Sequence, residues 1–309
     1  MFVLLTPVHN ELDLIDELAN CVLNSSLRPD LWQIIDDASN DGSEQKLKQL
    51  AEQHDFIRLK RLEEQPEYMG FHISEVFQAG VEAAHPEIEK ADYIGFLDAD
   101  IRFGPSYWLR LKNFLEQNSD VGIVSGVLCA KNAKGQWQVE PFQRKDNPRG
   151  GLRLVRGACF RQIGGVPYSR AWDPVMNVKA RIRGWRVVTL SDLFAASVRP
   201  TDQRFDLKSG ELSRGQRDWH LHHPLLQILV RALFKSLKSK SLSGWYYLQG
   251  YLQEKRRGGL QLPDPAVRDY YRKERTREWW RIVKARMLGG ENPHGLIPQI
   301  IVPEEKIFV

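Results

Sequence analysis

The chain has 309 residues, 42% of them hydrophobic and 27% charged, with a formal net charge of +5; this is the composition of a globular protein with ample surface to bury. No stretch approaches the ~18–20 uncharged apolar residues that span a bilayer, and "MFVLLTPVHNE" lacks the basic flank and small-residue cleavage site of a signal peptide, so a cytoplasmic chain is expected. Cys21, Cys129 and Cys159 are odd in number and show no Cys-x-x-Cys spacing, which speaks against a disulfide framework or a structural zinc site.

In chain order, the apolar or β-rich runs "FVLL" (2–5), "WQIID" (32–36), "FIRLKRL" (56–62) and "YIGFLD" (93–98) alternate with segments of helical spacing at 11–24, 43–53 and 73–84. That alternation predicts an α/β fold with a doubly wound, mostly parallel sheet flanked by helices. In such sheets ligands bind beyond the carboxyl ends of the strands. Three polar turns fall at that edge: "VHNE" after the first strand, "DDASNDGS" after the second and "DAD" after the fourth.

A helix over 105–117 and a strand over 121–128 follow. Residues 131–152 are polar and rich in turn formers, which predicts a hairpin or a mobile loop over the site. Next come a strand, a short helix ended by Gly164 and Gly165, a second helix stopped by Gly184, and a strand from Trp185. Beyond residue 205 the pattern is helical, at 224–239, 243–256 and 265–287, before a tail containing Pro and Gly.

Charge is unevenly placed: residues 231–290 sum to +10, which leaves −5 for the rest. The helix from Pro224 sets Leu225, Leu226, Leu229, Val230 and Leu233 on an apolar face and Arg231, Lys235 and Lys238 along one ridge. "GWYYLQGY" and "YYRKERTREWWRIVKAR" interleave aromatic with basic residues. Such a segment suits an anionic membrane surface or a nucleic acid; the plain alternative is an amphipathic helix packed on the α/β part of the chain with a solvated basic side.

The chemistry starts with "GFLDADI", an apolar run closing on Asp98 and Asp100. Strand alternation sets residues two apart on one side, so two anions meet there and call for a cation. Mg²⁺ or Mn²⁺ takes hard carboxylate oxygens together with substrate phosphates, and would stabilise the charge of a departing diphosphate.

"TPVHNE", "IIDDASNDGS", "ADYIGFLDADIRFGPSYWLRL" and "GACFRQIGG" occur in an order and spacing that resembles glycosyltransferase family 2 over roughly residues 1–200. The resemblance implies the GT-A fold, with a catalytic domain at 1–205 (a nucleotide-sugar half at about 1–103 and an acceptor half at about 104–205) and a basic helical extension at 206–309. It implies donor-nucleotide contacts at Pro7, His9, Asn10, Glu11, Asp36, Asp37, Gln78, Asp98 and Ala99, and a divalent metal on Asp98 and Asp100. Gln78 stands where many members have Asn. A late histidine completes the metal shell in several GT-A enzymes, which points to His222 in "WHLHHP".

The family's catalytic base falls eleven residues before a helix-ending glycine, which is Asp173 before Gly184. Trp172 replaces the Glu that usually precedes it and is expected to stack on the acceptor or make the base's surroundings less polar. The implied reaction is an inverting, metal-dependent transfer from a nucleotide-diphosphate sugar to a glycan or lipid-linked acceptor in envelope or exopolysaccharide synthesis, with peripheral contact with an anionic membrane at the inner face of the plasma membrane and nucleic acid the less natural partner. Two rivals stand beside it: a sugar-phosphate nucleotidyltransferase, for which "TPVHNEL" supplies no basic Gly-rich loop, and a noncatalytic glycan- or membrane-binding module of the same fold.

Overall fold

The computed structural model describes residues 1–63, 70–199, 206–287 and 295–308. Four apolar runs become β1 (Phe2–Val8), β2 (Leu31–Asp37), β3 (Ile57–Leu62) and β4 (Tyr93–Leu97), separated by helices α1 (Ile15–Leu23), α2 (Ser43–Gln53), α3 (His72–Ala83) and α4 (His85–Lys90). β1 pairs in parallel with both β2 and β4, and β2 with β3. β1 and β2 are buried almost throughout, as strands covered on both faces must be.

The remainder of the sheet is mixed. β5 (Ile101–Phe103), α5 (Tyr107–Gln117), β6 (Val121–Lys131), β7 (Trp137–Val139), β8 (Leu152–Arg156), α6 (Gly157–Ile163), α7 (Trp172–Ile182) and β9 (Arg186–Ser197) follow in chain order. The strands lie in the order β3-β2-β1-β4-β8-β6-β9-β5, with β7 paired to β6. β8 is antiparallel to β4 and β6, so the parallel half ends at β4. One core gathers Leu4, Leu18, Trp32, Tyr107 and Trp108; another gathers Leu5, Ile35, Phe77, Phe96, Phe160 and Met176. Successive residues Leu4 and Leu5, and Ile34 and Ile35, divide between these cores, as the two-residue period of a strand requires.

Residues 131–152 are more firmly built than a mobile loop. β7 closes a hairpin on β6, and the buried amide of Gln143 bonds both the N–H and the carbonyl of Leu128. The tail also carries more order than its composition suggests: Ile297, Val302 and Ile307 bury against Val127, Val139 and Phe194.

The chain divides into two units: one comprises the described residues within Met1–Tyr168, Trp172–Pro200 and Gly295–Val309, the other those within Ser169–Ala171 and Thr201–His294. The second is helical, with α8 (Leu207–His220), α9 (Leu225–Ser239), α10 (Ser243–Arg256), α11 (Pro265–Asp269) and α12 (Arg275–Met287). α8 and α10 approach so closely that a Cβ on Gly215 would lie 2.0 Å from the Tyr247 carbonyl oxygen. Buried in this unit, Asp218 accepts hydrogen bonds from Arg231 at 2.8 Å and from the Tyr247 hydroxyl. No described helix is long and apolar enough to cross a membrane.

Candidate active site

The carboxyl ends of the parallel strands bring the first two motifs together. The His9 ring accepts from the Asn10 amide at Nε2 (3.1 Å), leaving Nδ1–H to donate to the Asp37 carbonyl at 2.5 Å. Asn10 sits at φ +53°, a left-handed conformation that Asn tolerates, and its carbonyl oxygen Oδ1 accepts from the Asn40 N–H at 2.8 Å. Asn10 N–H in turn donates to Ser39 Oγ at 3.0 Å. Pro7 and Val8 stand in register with Ile35 and Asp36, so the turns after β1 and β2 are locked edge to edge.

The two aspartates of the second motif have different fates. Asp36 is fully buried: Oδ1 accepts from the Ser39 N–H and Oδ2 pairs with Arg61. Its expected nucleotide contact gives way to a structural one, because both oxygens are spent shaping the turn. Asp37 is better exposed, and His72 at the start of α3 meets its Oδ2 at 2.5 Å. Glu11 is paired with Arg199, one of whose nitrogens donates at 3.0 Å. Gln78 donates to the Val166 carbonyl at 2.9 Å, an internal bond where a donor contact was expected.

"DAD" forms a turn between β4 and β5, so strand alternation does not set its geometry. β4 ends at Leu97, and the Ile101 N–H bonds back to the Asp98 carbonyl at 3.1 Å. Asp98 is part-exposed, whereas Asp100 is 3% exposed and accepts from Ser197 Oγ at 3.3 Å. Ala99 is buried, and its carbonyl accepts from Arg102 at 2.9 Å, which ties the turn to the chain beneath it.

Gly151 makes the third approach. The Asp98 N–H donates to the Gly151 carbonyl at 2.9 Å, and a Cβ at Gly151 would lie 2.1 Å from the Asp98 carboxyl carbon. Its neighbour Gly150 lies against Trp172 and Asp173, where a Cβ would sit 3.2 Å from that of Asp173. The Gly150–Gly151 pair therefore joins the "DAD" turn to the start of α7.

Asp173 is the second residue of α7, inside its first turn, where a carboxylate meets the positive end of the helix. The wholly buried guanidinium of Arg153, on β8, lies 3.6 Å from its Oδ2. Arg153 donates to the carbonyls of Arg149 (2.8 Å), Pro148 (2.5 Å) and Asp173 (3.3 Å) and to Asn177 Oδ1 (3.2 Å). Burial draws its pKa down to about 10, while the charges of Asp173 and Asp98 oppose that fall. It thus stays cationic at neutral pH with both carboxylates in its field.

Trp172 is 6% exposed, with ring centroids of Phe77 and Phe96 at 4.6 and 5.3 Å and the Arg153 guanidinium 5.4 Å from its ring. This is the setting of a core ring and leaves no open face for an acceptor sugar. His222 lies in the second unit, where Nε2–H donates to the Leu262 carbonyl at 2.8 Å, so that any metal would have to be met by Nδ1. Among the described residues no three His, Cys, Asp or Glu side chains gather as a metal site. The donor chemistry that does fit a hard divalent cation is the carboxylate pair of the "DAD" turn, with substrate phosphates supplying the remaining oxygens.

Sequence reasoning missed Arg153, His72 and Arg199. "LRLVR" reads as a strand with an arginine on each face, and nothing local says that its first arginine is the buried one. His72 carried the better signal, since it opens the helix after β3 at the ligand edge of the sheet.

Residues 3–173 match the family described as Glycosyl transferase family 2. No curated protein sequence matches the chain. Among solved structures it is similar to the mannosyltransferase PcManGT of Pyrobaculum calidifontis in complex with GDP-Man and Mn²⁺, at 17% identity, TM-score 0.51, covering 93% of this chain and 84% of that one. It is also similar to residues 1–349 of S. aureus TarS in complex with UDP-GlcNAc, at 12% identity, TM-score 0.52, covering 84% and 92% respectively. With more than half of its length matched, and with the mixed sheet and helix layers these structures share, the chain belongs to glycosyl transferase family 2 and is a glycosyltransferase of the GT-A fold.

Proposed function

We propose that this glycosyltransferase moves a sugar, with inversion, from a nucleotide-diphosphate donor to a hydroxyl of a glycan or lipid-linked acceptor in envelope or exopolysaccharide synthesis. The observation that carries this reading is the convergence of Asp98 and Asp173 on one buried cation, Arg153, across the Gly150–Gly151 bridge. The donor would lie along the carboxyl edge, with its nucleotide on the turn of Pro7, His9, Asn10, Glu11 and Asp37 and its diphosphate at Asp98, Ala99 and Asp100. GDP-Man on PcManGT and UDP-GlcNAc on TarS support a donor of this class.

Asp98 and Asp100 would hold a divalent cation, Mn²⁺ or Mg²⁺, which when bound stabilises charge on the departing diphosphate. Asp173 would accept the proton of the acceptor hydroxyl as that oxygen bonds the anomeric carbon. The bond from that carbon to the diphosphate oxygen breaks on the opposite side, and the diphosphate leaves with the electron pair. Arg153 does not touch substrate in this scheme: it positions the carboxylate of Asp173 and the loop at 148–151. Catalysis then belongs to residues 1–205, and the helical extension from 206 serves a peripheral contact with an anionic membrane at the inner face of the plasma membrane, where a lipid-linked acceptor is held.

The test is a thermal-shift screen of UDP-, GDP- and dTDP-sugars with and without Mn²⁺, on the wild-type protein and on the double variant Asp98→Asn/Asp100→Asn. Stabilisation by one nucleotide class that needs both the metal and the carboxylates supports the reading. A shift that ignores metal and carboxylates alike would overturn the metal-held diphosphate.

A further inference from the structure

α9 turns two of its charges inward beside Ile228 and Ala232 and leaves its leucines outside. An amphipathic helix ordinarily buries its leucines and shows its charges to water. Here Arg231 points inward to Asp218 at 2.8 Å, and Lys235 to Glu211 at 2.8 Å, both acids being buried. The opposite side carries Leu226, Leu229, Leu233, Phe234 and Leu237, each 45–64% exposed and spaced to run the length of the helix. Leu242 and Trp245, at the turn into α10, are exposed as well. The helix has no acidic residue. Arg231 and Lys235 are thus not on the solvated side: their ion pairs are internal and the apolar stripe is the surface.

The helix beside α9 supplies the complementary charge. α12 meets α9 where Thr276 bonds Gln227 and where the Trp279 ring lies 5.7 Å from the Arg231 guanidinium. On another side of α12, Arg277, Trp280, Arg281 and Lys284 recur at helical spacing and are all exposed. An apolar stripe on one helix and a basic, tryptophan-bearing face on the helix packed against it are the two parts that a bilayer surface uses: leucines enter the acyl boundary, tryptophan sits at headgroup depth, and arginine and lysine meet anionic phosphates. A nucleic acid would use the basic face alone and leave the leucines in water.

We infer that the α9 stripe and the basic face of α12 form a docking surface for an anionic phospholipid bilayer, the leucines of α9 being the inserted part. The inference rests on the reading of a lipid-linked acceptor only for its purpose; the contact itself needs no donor and no turnover. The experiment is flotation of the full chain with vesicles of phosphatidylcholine alone and of phosphatidylcholine mixed with phosphatidylglycerol, at low and high salt. The wild type is compared with Leu233→Asp/Leu237→Asp and with Arg277→Gln/Arg281→Gln/Lys284→Gln. The wild type is expected to float with anionic vesicles, and each variant to bind at least about tenfold less, with helical circular dichroism and nucleotide-sugar thermal shift unchanged. Failure of the wild type to float overturns the inference, as does flotation that survives in the leucine variant. A concentration-dependent dimer abolished by the leucine variant, without vesicle binding, would assign the stripe to a second copy. A duplex or single-stranded oligonucleotide bound more tightly than vesicles, with only the arginine variant impaired, would assign the basic face to nucleic acid. The thermal shift, read on the same samples, reports separately on the transferase reading.

Discussion

The Arg153 guanidinium lies 3.6 Å from the Asp173 carboxylate while bonding the Asp173 carbonyl, so one side chain fixes both the backbone and the acid group of the residue assigned as base. Its other bonds hold the carbonyls of Pro148 and Arg149, just before the glycine pair that contacts Asp98. A buried charge with this many fixed acceptors is a positioning device: the planar fork of arginine is matched to acceptors in several directions, and an ammonium cannot reproduce it. Arg153→Lys is expected to lower kcat by about 100-fold with the donor KM nearly unchanged, because misplacing the base by ~1 Å costs that much. Equal loss in kcat and in donor affinity would mean that the residue merely holds the fold.

Asp173→Asn tests the base directly. Removing a general base costs typically ~10²–10⁴-fold in rate, and the amide preserves the shape and the neighbouring backbone bonds. Donor-dependent thermal stabilisation should therefore persist while transfer is lost. Retained transfer would move the base elsewhere.

Much of this site was legible before any coordinates, because the strands that carry it report themselves as short apolar runs and the turns by their Asn, Asp and Gly. Asp37, Asp98 and Asp173 all lie at strand ends or a helix start, where chain order predicts them. What could not be read is whatever depends on partners distant in sequence. Asp36 and Asp37 are adjacent and alike in type, yet Arg61 claims one and His72 meets the other. Trp172, beside the candidate base, reads from sequence as an acceptor platform or as a nonpolar neighbour; Phe77, Phe96 and Arg153 make it core, which leaves the second reading. The orientation of α9 is the same lesson at larger scale: periodicity finds its two faces, and only Asp218 and Glu211 decide which faces inward.

Gly151→Ala is expected to separate the carboxylates from their bridge. The new Cβ would fall 2.1 Å from the Asp98 carboxyl carbon, and the turn must move to admit it. Overpacking of this kind costs ~1–3 kcal/mol, measured as a lower denaturant midpoint without change in m. The Mn²⁺-dependent stabilisation by the donor should fall more sharply than stability itself, since the displaced group is the carboxylate proposed to hold the metal. An unchanged donor response would show that Asp98 has room to adjust.

The helical unit carries its own pH dependence. Burial draws His220 down to about 4 and His223 to about 3. The neutral form of His220 is fixed by its bonds: Nδ1–H donates to the Leu260 carbonyl at 2.8 Å and Nε2 accepts from the Ser169 hydroxyl at 3.0 Å. Unfolded, both rings would titrate near ~6.5, so between that value and about 4 the unfolded state binds more protons than the folded one. Stability is full above the unfolded pKa and falls as pH drops through the window, by ~1.4 kcal/mol per pH unit for each ring. Asp218 acts in the same direction at lower pH: burial alone would raise its pKa, but Arg217 and Arg231 hold it well below the usual carboxylate range, so its ion pairs outlast the histidine effect. Urea melts followed by circular dichroism at a series of pH values should show this slope, and His220→Gln, which cannot titrate, should lessen it by ~1.4 kcal/mol per pH unit, the shares of His223 and of His222, which burial also draws down, remaining. A slope that is the same in the variant would mean that His220 takes up its proton in the folded protein as readily as in the unfolded chain.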